Sequence, residues 1–282
     1  MHTSRRIPAA ATIAMLTVVG GLAAQRQDLF DGALRGEQGD PAELPPAARP
    51  GGEISGCHLH YTSVRREPNG SGWRTDYPWA QRNLLLRLSE VTRARVGRSE
   101  QGPPHVYLVR LTDPALFDCG YVMASDVGTI GLSGEEVDAL SRYLRKGGFL
   151  WVDDFWGQAA WDHWTNELAR VLPPPEYAIE DVPLSDPILH ALFAVREIPQ
   201  VPGIGFWRAS RGEVTSERGE ETAVPHLRAI RDAHGRIIVV MTHDTDVSNA
   251  FERETEDPAY FRRFSVDGYG LGLNVLLYAM TH

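Results

Sequence analysis

The reading of this chain turns on Gly147-Gly148-Phe149-Leu150-Trp151-Val152-Asp153-Asp154-Phe155-Trp156. Phe149 to Val152 is a short unbroken apolar run, the pattern of a strand buried on both faces, and it stops at two carboxylates. Just upstream, Ser133-Gly134-Glu135-Glu136 has the spacing of a capping box, in which hydroxyl and carboxylate satisfy the free N–H groups of a helix start. Val137, Leu140 and Leu144 follow at three- and four-residue intervals and share one face. Arg142, Arg145 and Lys146 occupy the last turns, where cations suit the negative end of the helix dipole. Gly147 can take the left-handed conformation that ends the helix. In open α/β sheets ligands bind beyond the carboxyl ends of strands, so Asp153 and Asp154 stand where a site is expected. The same pair would equally serve to cap the next helix.

Outward from this unit the alternation continues. A strand is expected within 58–64, a helix over 79–92 with Leu84, Leu85, Leu88 and Val91 inward, and a strand over 105–111. Residues 112–127 read as a polar-aromatic loop, and 128–132 as a short strand leading into the Ser133 helix. Downstream come a helix over 158–172 and an irregular region over 176–222. A strand pair over 223–231 and 236–242 follows, turning at Asp232-Ala233-His234-Gly235, and then a closing helix over about 267–280. This order calls for an α/β fold, a three-layer sandwich with a mostly parallel central sheet and helices on both faces.

A length of 282 residues allows one large domain or two small ones, and 43% hydrophobic with 23% charged residues is a globular composition. The formal charge of −9 argues against nucleic acid as a partner. Arg5 and Arg6 followed by the uncharged run Pro8 to Ala24 read as a signal peptide over 1–24, with an uncleaved anchor as the rival. Residues 25–52 read as a disordered linker and 53–282 as a single α/β domain. A periplasmic or secreted location is therefore expected, with no membrane span after signal removal. Cys57 and Cys119 are expected as two separate thiols, since a domain of this size does not need a disulfide. His58 and His60, two apart, would share a strand face; half-exposed strand histidines are favoured over metal ligands.

A second polar cluster, Met241-Thr242-His243-Asp244-Thr245-Asp246, follows the apolar run 237–240. If its strand is parallel to Phe149–Val152, then Asp153, Asp154, Trp156, His243, Asp244 and Asp246 share one rim of the sheet, with Arg253 close behind. These types suit ligand binding. If a metal is held, Asp154, His243, Asp244 and Asp246 are its candidate ligands, oxygen favouring calcium, magnesium or manganese and imidazole allowing zinc. The bland alternative is a set of turns whose Asp side chains bond their own backbone. No organic cofactor is expected, because neither a phosphate-cradling glycine loop nor a dinucleotide fingerprint is present.

Trp79 with Asn83-Leu84-Leu85, Tyr143 to Gly157, Met241 to Asp246, Gly272-Leu273-Asn274-Val275 and Tyr278 to His282 carry a resemblance to the bacterial domain of unknown function 4159 family. The resemblance spans about residues 55–282. It implies a class I glutamine amidotransferase-like (flavodoxin-like) fold and an exported protein. The nucleophile elbow of those enzymes is not matched by any cysteine of this chain. Two functions stand: a non-catalytic module binding a small ligand or an envelope protein, or a metal-assisted hydrolase of an envelope substrate with His243 as ligand or base.

Overall fold

The computed structural model describes residues 52–98 and 102–282. The signal reading and, but for Gly52, the linker reading fall outside the described residues. Seven strands form one sheet: β1 (Gly56–Leu59), β3 (Val106–Val109), β4 (Val122–Ser125), β6 (Leu150–Asp153), β7 (Glu180–Asp181), β8 (His226–Arg231) and β9 (Ile237–His243). Their order is β3-β1-β4-β6-β9-β8-β7. The first five are mutually parallel; β8 runs antiparallel to β9, and β7 antiparallel to β8. Two short strands, β2 (Thr62–Ser63) and β5 (Ile130–Gly131), pair separately.

The helices are α1 (Trp79–Val91), α2 (Gly134–Arg145), α3 (Gly157–Val171), the short α4 (Ile204–Ala209), α5 (Asn249–Glu252) and α6 (Pro258–Tyr260), and the closing α7 (Val266–Thr281). The apolar run of β6 divides its side chains between two cores, as a doubly covered strand must. Leu150 and Val152 pack with Leu140 and Leu144 of α2 and with Trp164 and Leu168 of α3. Phe149 and Trp151 pack with Leu84, Leu85 and Leu88 of α1 and with Leu273 and Leu276 of α7. The mixed α/β, mostly parallel architecture is thus as expected.

The helix before β6 forms as its sequence dictates. The Ser133 hydroxyl accepts from the Glu136 amide while the Glu136 carboxylate accepts from the Ser133 amide. Gly147 ends it at φ +104°, and a Cβ on Gly148 would lie 2.5 Å from the Tyr143 ring. The pair Gly-Gly therefore lets the chain turn tightly over that ring into β6.

Four local expectations are corrected. The loop over 112–127 contains β4, an interior strand of the sheet between β1 and β6. Val91 of α1 is 44% exposed rather than inward. Cys57 and Cys119 are bonded, with Cα atoms 6.0 Å apart across 62 residues of sequence. β1 and β4 are sheet neighbours, so Cys57 in β1 and Cys119 just before β4 are brought face to face by strand pairing. His58 is 1% exposed, with Nε2 2.6 Å from the Trp73 carbonyl, and burial pushes its pKa down to about 4. His60 instead packs against the Trp73 ring at 4.5 Å. No helix among the described residues is long and apolar enough to cross a membrane.

Candidate functional site

From β1 the chain crosses to β3 on one side, then returns to β4 on the other and continues outward through β6 to β9. In open α/β sheets such a reversal marks the crevice at the carboxyl edge of the parallel strands as the ligand position. Asp126 follows β4, Asp153 ends β6 with Asp154 after it, and Asp244 and Asp246 follow β9. A further carboxylate, Asp76, enters from the turn before α1. Six non-glycine residues among those described have left-handed backbone, and four are Asp76, Asp126, Asp154 and Asp244, at φ of 65°, 54°, 52° and 60°. Aspartate tolerates this conformation better than most residues.

Asp76, Asp153 and Asp246 each place one carboxylate oxygen within 4.8 Å of the others, and all three are buried. Asp153 is saturated. Its Oδ1 accepts from the Thr242 hydroxyl and the Val247 amide (3.3 Å), and its Oδ2 from the Ser248 amide (2.7 Å) and hydroxyl (2.6 Å). Asp76 accepts through Oδ2 from the Ser125 hydroxyl at 2.7 Å. Asp246 accepts through Oδ1 from the Asn249 amide at 2.8 Å. The hydrogen bonds among the described residues thus leave one oxygen of Asp76 and one of Asp246 with open acceptor capacity.

Burial is the first cause that raises all these carboxyl groups above the ordinary carboxylate range. For Asp76 and Asp246 the next is repulsion from Asp154. For Asp154 it is repulsion from Glu217. In Asp153 the bonds from Ser248 and Thr242 work against the rise without cancelling it. Asp126 is pushed up to about 7 by burial, against a hydrogen bond from the Gly72 amide at 2.8 Å. The charges acting on the central group are other carboxylates, which favours sharing a proton or taking a cation.

Asp76, Asp153 and Asp246, with Asp154 beside them, are the residues that could hold a metal. Their oxygens lie within 4.8 Å of one another, close enough to surround one ion whose metal–oxygen distances are about 2.1–2.4 Å. The donors are all oxygen, which suits a hard ion and gives zinc no imidazole.

The structure divides the residues singled out from the sequence. Asp153, Asp154 and Asp246 come together, with Trp156 donating from Nε1 to Asp154 Oδ1 at 2.8 Å. His243 and Asp244 instead meet the start of α3, where Asp244 Oδ1 accepts from the Gly157 amide at 2.8 Å. Burial raises Asp244 to about 6 and lowers His243 to about 3. A neutral His243 fits its partners: Nε2 faces the Gly157 carbonyl at 3.3 Å and Nδ1 faces Arg228 Nη1 at 3.1 Å. Its 3.3 Å approach to Asp244 Oδ2 is therefore not an ion pair. Arg253 bonds Glu252 and Glu256, each at 2.7 Å, one layer behind the crevice.

Sequence reasoning passed over Asp76, Asp126 and Glu217. Asp126 was hidden because β4 was read as loop, and Asp76 because its turn lies 77 residues before Asp153 in the chain. The one local signal was Asp76-Tyr77-Pro78 at a helix start, which marks a turn and no more. The comparison with curated proteins returned no match. The model of the family described as domain of unknown function (DUF4159) matches residues 58–280, and the chain belongs to that family.

Proposed function

We propose that this chain is an exported, non-catalytic binding domain, on a flavodoxin-like, class I glutamine amidotransferase-like scaffold. Its carboxyl-edge crevice takes a hard divalent cation, such as calcium, and with it a small ligand or an envelope protein. The observation that carries this reading is the trio Asp76, Asp153 and Asp246, whose oxygens lie within 4.8 Å while the charges acting on Asp76 and Asp246 are carboxylates. A cation relieves such a cluster.

Other features support the reading. Counted along the chain, the five parallel strands lie in the order 2-1-3-4-5, the order of flavodoxin-like sheets. The Cys57–Cys119 bond suits an oxidising compartment, in line with the apolar run after Arg5 and Arg6. It also leaves neither cysteine as a nucleophile. The hydrolytic alternative asks His243 to act as a base, yet the ring is 4% exposed, has a pKa near 3 and has a partner at each nitrogen.

Metal content tests the reading. Protein purified from an extracytoplasmic fraction without chelator should carry about one equivalent of calcium per chain. Dialysis against chelator should remove it, and Asp246→Asn should abolish it. Protein that is metal-free and acquires none from millimolar calcium would remove the cation from the proposal.

A further inference from the structure

Two stretches meet beside the carboxylate cluster and remain unexplained by binding alone. One is Glu67-Pro68-Asn69-Gly70-Ser71-Gly72; the other is the turn at Glu217-Arg218. The first lies directly on Asp126. The Gly72 amide donates to Asp126 Oδ2 at 2.8 Å, and a Cβ on Gly70 would sit 2.2 Å from the same oxygen. Only glycine lets the backbone approach the carboxylate so closely.

The two stretches are tied to each other. Arg218 Nη2 donates to the Pro68 carbonyl at 2.7 Å, and Asn69 Nδ2 donates to Glu217 Oε2 at 3.3 Å. Glu217 in turn accepts from the Gly203 amide at 2.8 Å, and a Cβ on Gly203 would lie 4.0 Å from Asp246 Oδ2. Glu217 is also the charge that raises Asp154 most. The tie therefore links the turn that lies on Asp126 to Glu217, beside Asp154 and Asp246.

Both ends of the first stretch are anchored, and its middle is held by hydrogen bonds alone. Arg65 Nη1 donates to the Gly128 carbonyl at 2.8 Å and pairs with Glu67 at 2.5 Å. Trp73 is buried in the core beyond the other end. Between them Pro68, Asn69 and Ser71 are exposed, and none joins a core. A segment held by a few hydrogen bonds between fixed ends can open without disturbing the sheet.

We propose that residues 67–72 form a cover that swings open between Arg65 and Trp73, with Glu217 and Arg218 as its latch, and that this opening gates the crevice. The gated ligand rests on the cation reading above; the opening itself does not.

Hydrogen exchange followed by mass spectrometry, on the full mature chain, tests the opening. In the wild type, a peptide covering 66–73 should be protected, through the Gly72 amide, and should exchange without loss of protection in β6 and β9. Arg218→Ala removes the bond to Pro68 and should speed exchange of that peptide about tenfold. Gly70→Ala should do the same by pushing the cover off Asp126, while the peptides of β6 and β9 stay unchanged in both variants. A wild-type 66–73 peptide that exchanges as freely as an unstructured one, or that opens only together with β6 and β9, overturns the cover. So does an Arg218→Ala protein with wild-type exchange. Stopped-flow calcium binding then tests the gate: Arg218→Ala should bind about tenfold faster, and equal rates overturn gating. If neither protein binds calcium, the cation reading and the gate fail together, and the exchange result still decides the cover.

Discussion

Adjacent carboxylates in this chain have opposite jobs, and substitution should separate them. Asp153 receives four hydrogen bonds. Asp153→Asn would turn an N–H₂ towards those donors, and leaving them unpaired costs about 1–3 kcal/mol. Asp246 receives one bond, from the amide of Asn249. Asparagine keeps that bond and removes a charge repelled by Asp154 and Asp76. In cation-free protein, Asp153→Asn should therefore lower the melting temperature and Asp246→Asn should raise it. Shifts of the same sign would mean that the two groups are not distinguished in this way. This division was not legible in the sequence. Asp153-Asp154 announces a strand end, but the left-handed turn at Asp154 decides which carboxylate meets Thr242 and Ser248. The same holds at β9, where the turn at Asp244 (φ 60°) separates the surroundings of His243 and Asp244 from those of Asp246.

Among the elements, β6 and the helix before it were the most readable, because each local signal points the same way. The capping box, apolar stripe, basic last turn and terminal glycine all belong to α2, and three apolar residues before Asp153 make β6. β4 was opaque for the opposite reason. Val122-Met123-Ala124-Ser125 holds only one β-branched residue, and its place in the sheet comes from its neighbours. The disulfide was likewise unreadable, because only the β1–β4 pairing brings Cys57 to Cys119. Its contribution can be measured. The bond closes 62 residues of chain, for which the loop-entropy relation gives about 4 kcal/mol. Reduction with a thiol reagent under mild denaturant, or the paired change Cys57→Ala with Cys119→Ala, should lower the denaturation midpoint accordingly. An unchanged midpoint would mean that β1 and β4 hold together without it.

For the molecule as a whole, the buried acids set how stability depends on pH. A carboxyl group whose pKa is raised by folding holds its proton more tightly when folded. Its stabilisation is present below the ordinary carboxylate pKa and is lost as pH rises through the folded value. Asp126, at about 7, and Asp244, at about 6, act in this direction, as do Asp76, Asp153, Asp154 and Asp246. His58, at about 4, and His243, at about 3, act oppositely, as do His60 and His226, which burial also lowers. Their stabilisation is present above the ordinary imidazole pKa and is lost as pH falls through those values. The acids outnumber the imidazoles. Cation-free protein should therefore melt higher at about pH 5 than at about pH 8, and a higher melting temperature at pH 8 would contradict the buried-carboxylate arrangement.

A bound cation should reverse that loss, because it replaces the missing protons where the carboxylates crowd. Differential scanning calorimetry of chelator-treated protein at about pH 8, with and without calcium, tests this most directly. At about a hundredfold excess over the dissociation constant, calcium should add about 2.7 kcal/mol, or roughly 5–10 °C in a domain of this size. Asp76→Asn and Asp246→Asn should each abolish most of the shift. A wild-type melting temperature that is the same with and without millimolar calcium would contradict the central claim that this crevice is a cation site.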